Sequence, residues 1–208
     1  MLQTTALACE RGGLRLFGAV SFTLEGGALL RLRGRNGTGK TSLLRILAGL
    51  SRPAEGDVRW KGTPIAELAE DYGRDLLYIG HAPGLKDEMT VLENLEFHAR
   101  VHGHAPDEAA LRGALARVGI ARLADLPARY LSQGQRRRAA LARLPLSAAQ
   151  RLWLLDEPFV ALDDEAIDHV RELVEAHLGA GGMVVLTSHQ EVAIGAGMAR
   201  DLELENAA

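Results

Sequence analysis

Three groups of residues in this 208-residue chain could do chemistry: a glycine-rich turn ending in lysine, an acid pair and a histidine. The turn, Gly34-Arg35-Asn36-Gly37-Thr38-Gly39-Lys40-Thr41, fits G-x-x-x-x-G-K-[ST] and runs on into Ser42. Glycines reach positive φ angles and let backbone N–H groups close around a phosphate at a helix N-terminus. Lys40 in that pattern reaches the β- and γ-phosphates of a nucleotide, and the Thr41 hydroxyl ligates Mg²⁺. Leu152-Trp-Leu-Leu-Asp156-Glu157 is an apolar run that ends in two carboxylates. By itself such a run is a strand with a solvated end. Next to a phosphate turn, Asp156 holds Mg²⁺, directly or through water, and Glu157 orients and polarises the attacking water. Leu186-Thr-Ser-His189 places a histidine at the end of another apolar run.

These residues need a frame that brings strand ends together. Ala28–Arg33 reads as a strand entering the turn, and the apolar spacing of residues 41–49 reads as the helix leaving it. Before them, residues 2–8, 14–17 and 20–25 alternate as antiparallel strands, with turns at Gly12-Gly13 and Gly26-Gly27. Val58–Trp60, Leu76–Ile79, Arg151–Leu155, 183–187 and 200–204 read as further strands. Residues 90–145 are helical by pattern. One helix is capped by Thr90 with Glu93 three residues on, and another starts near Pro106-Asp107. A helix spans roughly 163–178. Strands alternating with helices around a phosphate turn predict an α/β core with a mainly parallel sheet. The helical stretch between two core strands predicts an inserted subdomain.

The pentapeptide Leu131-Ser132-Gln133-Gly134-Gln135 precedes a helix expected over Arg136–Leu144. Alone it is a loop and a helix cap. In its order after the phosphate turn and before Asp156-Glu157, it resembles the LSGGQ signature of the nucleotide-binding subunits of ABC transporters. Gln133 stands in place of the first glycine. Ala161-Leu-Asp163 resembles that family's D-loop, and His189 its switch histidine, which touches the γ-phosphate and the water. The resemblance covers nearly the whole chain. It implies one ABC-type P-loop NTPase domain over 1–208, with an N-terminal antiparallel β-subdomain and a helical subdomain at about 82–145. It also implies ATP and Mg²⁺, with nucleotide contacts from residues 34–42, His81, Ser132, Gln133, Gly134, Gln135 and Asp163. Catalytic roles fall to Glu157 and His189.

Three positions depart from the pattern. The adenine-stacking aromatic is missing, leaving Arg11, whose guanidinium can stack on a base, or Phe17. His81, in Ile79-Gly-His-Ala-Pro-Gly84, falls where the family places a glutamine. It could still touch the metal's water shell or the γ-phosphate. Pro145 should kink or end the helix after the pentapeptide.

The phrases IGHAPGLKDEMTVLENLEFHAR, LWLLDEPFVALD and VVLTSHQ narrow the resemblance to the haem-exporter ATP-binding subunits of bacterial cytochrome c maturation. That implies a head-to-tail dimer with a second copy, integral membrane subunits as partners, and haem reached only through the complex. It places the chain peripherally on the cytoplasmic face of the inner membrane. Leu85 and Met89 are then either anchors for a membrane-subunit helix or part of this chain's own core. The other readings are a soluble ABC-type ATPase acting on nucleic acid or ribosomes, a nucleotide-gated binding module, and a subunit of a different small-substrate transporter. Against nucleic acid stand the single phosphate turn and the lack of a coiled-coil insertion, zinc-hook cysteines or a basic extension.

Composition agrees. The net charge of −3 gives no basic field for nucleic acid. Cys9 is the only cysteine, which excludes internal disulfides and fits a reducing compartment; it reads as a buried small hydrophobe. No run approaches the ~20 apolar residues of a membrane span, and the N-terminal residues do not read as a signal peptide. Of 24 basic residues only Lys40, Lys61 and Lys86 are lysine, so Arg136-Arg137-Arg138 is no special patch. His98, His102 and His104 read as a solvated helix face, because no carboxylate or cysteine completes a ligand set.

Overall fold

Apolar residues that alternate along three central strands divide the molecule into two cores. The computed structural model describes residues 1–190, 192–195 and 198–205, without the side chain of Ala69. A five-stranded parallel sheet is built from β3 (Ala28–Arg33), β6 (Leu76–Ile79), β7 (Leu152–Asp156), β8 (Met183–Thr187) and β9 (Met198–Glu203). Its order is β6-β7-β8-β3-β9. Leu152, Leu154, Met183, Val185, Leu30 and Leu32 face one side, where α1 (Lys40–Leu47) packs. Trp153, Leu155, Val184, Leu186 and Leu29 face the other. Burial on both faces is what makes β7 and β8 read as continuous apolar runs.

A second, antiparallel sheet lies against the α1 side. It contains β1 (Leu2–Arg11), β2 (Leu14–Leu24), β4 (Glu55–Trp60) and the short β5 (Thr63–Pro64), in the order β2-β1-β4-β5. The segments expected at 14–17 and 20–25 are a single strand. Its register against β1 shifts between Thr4 and Leu7, and Ala6 and Ala19 take φ angles of 46° and 57°. These irregularities absorb the break that Gly18-Ala19 makes in the alternation. Helix α2 (Ile65–Asp75) was not expected from the pattern. It docks through buried Tyr72, whose hydroxyl donates to Leu47 O at 2.6 Å.

Between β6 and β7 come α3 (Val91–Val101), α4 (Glu108–Arg117) and α5 (Gln133–Leu141), with two three-residue 3-10 turns between α4 and α5 and a third after α5. As expected, Thr90 and Glu93 form a reciprocal cap on α3, and Asp107 caps α4. Buried Asn94 ties the preceding loop to α3. Its side chain accepts from Lys86 N at 2.7 Å and donates to the carbonyls of Lys86, Met89 and Thr90. Helix α5 begins three residues earlier than expected, because Ser132 caps it, and ends at Leu141. Of the two effects expected of Pro145, the helix ends before it and no kink forms. It sits in the following 3-10 turn, Leu144–Leu146, where its missing N–H costs no helical bond.

Helix α6 (Asp164–Gly179) crosses the α3–α5 side of the sheet. His177 of α6 stacks on Trp153 of β7 with ring centroids 3.8 Å apart and planes within 4°. Burial pushes its pKa from 6.5 down to about 4. The fold thus holds a neutral imidazole, while the unfolded chain protonates it below 6.5. Between those values the unfolded state binds more protons, so stability present above pH 6.5 drains away as pH falls toward about 4. In thermal melts the wild type should lose melting temperature across this window, at about 2–4 °C per kcal/mol. His177→Asn should start lower at neutral pH and show a shallower acid loss. Parallel pH dependences for the two proteins would remove His177 as a source of that loss.

Candidate functional site

The phosphate turn joins β3 to α1 at the carboxyl edge of the parallel sheet, where ligands of open α/β sheets bind. Gly39 takes φ 96°, and a Cβ there would lie 2.8 Å from the Phe17 ring. Gly34, at φ 133°, would push a Cβ to 2.5 Å from Leu204 O. Both positions thus need glycine for conformation and for space. No side chain caps α1, so its N-terminal dipole is left for an anion. Lys40 is 8% exposed, and its Nζ donates to Gly34 O at 2.6 Å and Arg35 O at 3.1 Å. The ammonium is held over the turn rather than swinging in solvent.

Asp156 closes β7 and is buried. Its Oδ2 accepts from Thr41 Oγ1 at 2.9 Å and its Oδ1 from Thr187 Oγ1 at 2.8 Å. A hydroxyl paired with a buried carboxylate beside a lysine is an oxygen donor set suited to Mg²⁺. Glu157 follows at φ 52°, a left-handed conformation that turns its side chain out of the strand line. Its N–H donates to Thr187 Oγ1 at 2.8 Å. Its carboxylate accepts from His189 N at 3.2 Å and lies 3.4 Å from His189 Nε2. Thr187 therefore orients both acids. It stands inside the Leu186–His189 phrase, but the residue types there drew attention only to the histidine.

A cleft of about 480 Å³, within the ~300–1,000 Å³ range of small-ligand sites, gathers most of the expected residues. Asn36, Gly37, Gly39, Lys40, Thr41, Ser42, His81, Asp156, Glu157 and His189 line it, with Arg11, Leu16 and Val160. Gly34, Arg35 and Thr38 are not in its lining, and the Thr38 hydroxyl bonds Arg35 O at 3.0 Å. Arg11 reaches the cleft, whereas Phe17 is buried against Gly39 and cannot offer its face to a base.

Ser132, Gln133, Gly134, Gln135 and Asp163 lie outside the cleft. Ser132 and Gln135 cap α5 reciprocally. Gly134 is needed for space, since a Cβ would stand 2.6 Å from Ala161 O. Asp163 caps α6 through Ala166 N at 3.0 Å and pairs with Arg138 at 2.5 Å. The Ala166 N–H, then Arg138, hold its carboxyl below the usual range. The three arginines of α5 diverge: Arg136 pairs with Asp87, Arg137 turns into the sheet edge, and Arg138 reaches Asp163.

The histidines are not a solvated face. His98 Nε2 lies 3.1 Å from Gly84 O, His102 Nδ1 2.9 Å from His98 O, and His104 Nε2 2.9 Å from Gln150 Nε2. They edge a small cavity beside buried Arg143, and burial pushes the His98 pKa down to about 4. The i, i+4 pattern carries no sign of these partners: a loop carbonyl for His98, a helix carbonyl for His102 and the Gln150 side chain for His104. Leu85 and Met89 are both half-buried, and Leu85 packs on the core. Cys9 is buried.

The parallel sheet, the phosphate turn at a helix N-terminus and a carboxylate at the end of β7, one strand removed from β3, define a P-loop nucleotide-binding protein. The ABC transporter family model matches residues 17–160. A cytochrome c biogenesis ATP-binding export protein, CcmA, of Dechloromonas aromatica is 50% identical over 204 residues, covering 98% of this chain and 100% of that protein. Its namesake in Escherichia coli K12 is 45% identical over 204 residues, covering 98% and 96%. A solved ATP-binding subunit of an ABC transporter superposes with TM-score 0.81 at 26% identity, covering 91% of this chain and 79% of that one. A dimeric bacterial ABC transporter cassette superposes with TM-score 0.84 at 23% identity, covering 98% and 94%. The chain belongs to the ABC transporter ATP-binding family and, within it, to the cytochrome c biogenesis ATP-binding export proteins.

Two variants test the geometry. Lys40→Ala removes a charge-assisted contact of about 1.5–3 kcal/mol, so calorimetry should show ATP affinity lower by roughly 10- to 150-fold. Affinity unchanged would mean that the turn does not hold phosphate. Thr187→Val keeps the shape but leaves Asp156 Oδ1 and Glu157 N without their partner. Turnover should fall about 10- to 100-fold, as when an outer-shell partner of a metal ligand is lost. Wild-type turnover would deny Thr187 its orienting role.

Proposed function

We propose that this chain is the ATP-hydrolysing subunit of a transporter complex that serves haem delivery and chaperone release in cytochrome c maturation. The observation that carries the reading is the convergence of Lys40, Thr41, Asp156, Glu157 and His189 on one cleft. The relatives, named as ATP-binding export proteins of cytochrome c biogenesis, support the biological setting. Lys40 neutralises the β- and γ-phosphates while the turn's N–H groups hold them. Thr41 and Asp156 would hold Mg²⁺, which would supply positive charge to offset that of the phosphate oxygens. Glu157 orients and polarises water for attack on the γ-phosphorus, and His189 keeps that carboxylate in place and contacts the γ-phosphate. His81, which also lines the cleft, would contact the γ-phosphate or the metal's water shell.

The signature residues serve another copy's nucleotide. Ser132, Gln133, Gly134 and Gln135 open α5 away from the chain's own cleft, with a helix N-terminus suited to an anion. In a head-to-tail dimer each copy closes over the ATP of its partner, and Asp163 lies beside that contact. One domain spans 1–208, with the helical subdomain at about 82–145. It works peripherally on the cytoplasmic face of the inner membrane, bound to integral membrane subunits, and meets haem only through them. Among the described residues no helix is long and apolar enough to cross a membrane, which accords with such an attachment.

Glu157→Gln should keep ATP binding, lose most hydrolysis and accumulate as an ATP-bound dimer in light scattering. Turnover near wild type would take the water-orienting role away from Glu157. GTP should compete with ATP within about tenfold, or ~1.4 kcal/mol, because Arg11 offers a base only a guanidinium plane. A thousandfold preference would mean that base recognition lies elsewhere.

A further inference from the structure

We propose that Arg137 is a positioning residue for hydrolysis, clamping the His81 loop to the strand end that carries Asp156 and Glu157. The inference rests on the catalytic reading of those two acids given above. Strands β6 and β7 pair in parallel register up to Ile79 and Leu155. The next residues, Gly80 and Asp156, lie beyond the end of that ladder, and the Arg137 guanidinium bridges them instead. Its Nη1 donates to Gly80 O at 2.8 Å and its Nη2 to Asp156 O at 2.5 Å.

The cost of this arrangement argues for a purpose. Arg137 is only 5% exposed and makes no ion pair among the described residues. Its Nε has no hydrogen-bond partner there. Burial pushes the guanidinium pKa down, and the charges of Asp156 and Glu157 pull it back. A buried cation held mainly by carbonyls is expensive unless its geometry is needed. A planar guanidinium presents two separate nitrogens in a fixed fork, one for each carbonyl, where an ammonium or an amide would have to serve both from a single nitrogen.

Two neighbours hold the same loop without touching β7. Arg143 donates to Pro83 O, and His98 Nε2 contacts Gly84 O at 3.1 Å. The loop after β6 is thus gripped at three carbonyls by α3, α5 and the turn after α5. Only Arg137 also grips the strand end with the acids. Any movement of α5 relative to the sheet must carry Gly80 and Asp156 together or break the fork. Arg137 thereby links the helix that opens at Ser132 to the carboxylate end of β7 and to His81.

The test compares Arg137→Met, Arg137→Gln, Arg137→Gly and Arg143→Met in the full chain, reading kcat, KM for ATP and melting temperature, with Glu157→Gln as reference. Arg137→Met should lower kcat about 10- to 100-fold while KM stays near wild type. Arg137→Gln, which reaches one carbonyl, should recover part of that loss. Guanidinium added at low concentration should restore turnover to Arg137→Gly better than ammonium does. Arg143→Met should lower the melting temperature but keep more turnover than Arg137→Met. Equal kcat losses in Arg137→Met and Arg143→Met would overturn the proposal, as would wild-type kcat in Arg137→Met. If neither the Met nor the Gln variant folds, Arg137 is a folding residue and the proposal falls. An inactive Glu157→Gln beside a fully active Arg137→Met would sink the clamp and leave the catalytic reading standing. Normal turnover in Glu157→Gln would remove the catalytic reading itself.

Discussion

Asp156 is bound from three directions, and the site depends on that one residue. One carboxylate oxygen accepts from Thr41 at the start of α1, the other from Thr187 at the end of β8, and its backbone carbonyl from Arg137 of α5. A buried carboxylate left without partners carries a large desolvation penalty, which the two threonine hydroxyls offset. The three donors come from different layers of the fold. Their meeting sets the distance between the phosphate turn, the histidine strand and the signature helix.

That meeting is possible because the sheet is parallel and buried on both faces. Alternate side chains of β7 and β8 feed two separate cores, one with α1 and the antiparallel sheet, the other with α3 to α6. Slipping either strand by one residue would exchange the two sets, so the register is strongly specified. Turn, acids and histidine then share one edge because every parallel strand ends its chain direction there. Glu157 accepts a left-handed backbone at φ 52° as the consequence. The strand must stop on Asp156 while the next carboxylate turns toward His189.

What could be read from the sequence was what depends on short spacing. The phosphate turn, the caps at Thr90 and Asp107 and the apolar runs of β7 and β8 are each defined by residues a few positions apart. The roles of Thr187 and Arg137 are not legible in the sequence, because their partners lie far along the chain. Arg137 bonds carbonyls 57 and 19 residues away, and a carbonyl has no residue type to recognise. The α5 boundary was misplaced for a similar reason. Ser132 reads as a ligand residue, yet its side chain also caps the helix, which sets the start at Gln133; the end at Leu141 separately leaves Pro145 outside. Gly134 matters less for its backbone angle than for the carbonyl of Ala161 packed against it.

The same contacts explain why one copy presents two unlike surfaces. The cleft side is organised around buried acids and a lysine folded over its own turn. The side with Ser132 to Gln135 carries a helix N-terminus whose own cap leaves other N–H groups free for an anion. Nothing in one chain brings that end to its own phosphate turn, because α5 is anchored by Arg137 to the sheet edge and by Arg138 to Asp163. Rigid anchoring of α5 favours docking as a unit: the opening of the helix is presented by a body that moves with the strand end bearing the acids. Closure against another phosphate would then reach those acids through the backbone of Asp156, a route that a guanidinium fork is stiff enough to carry.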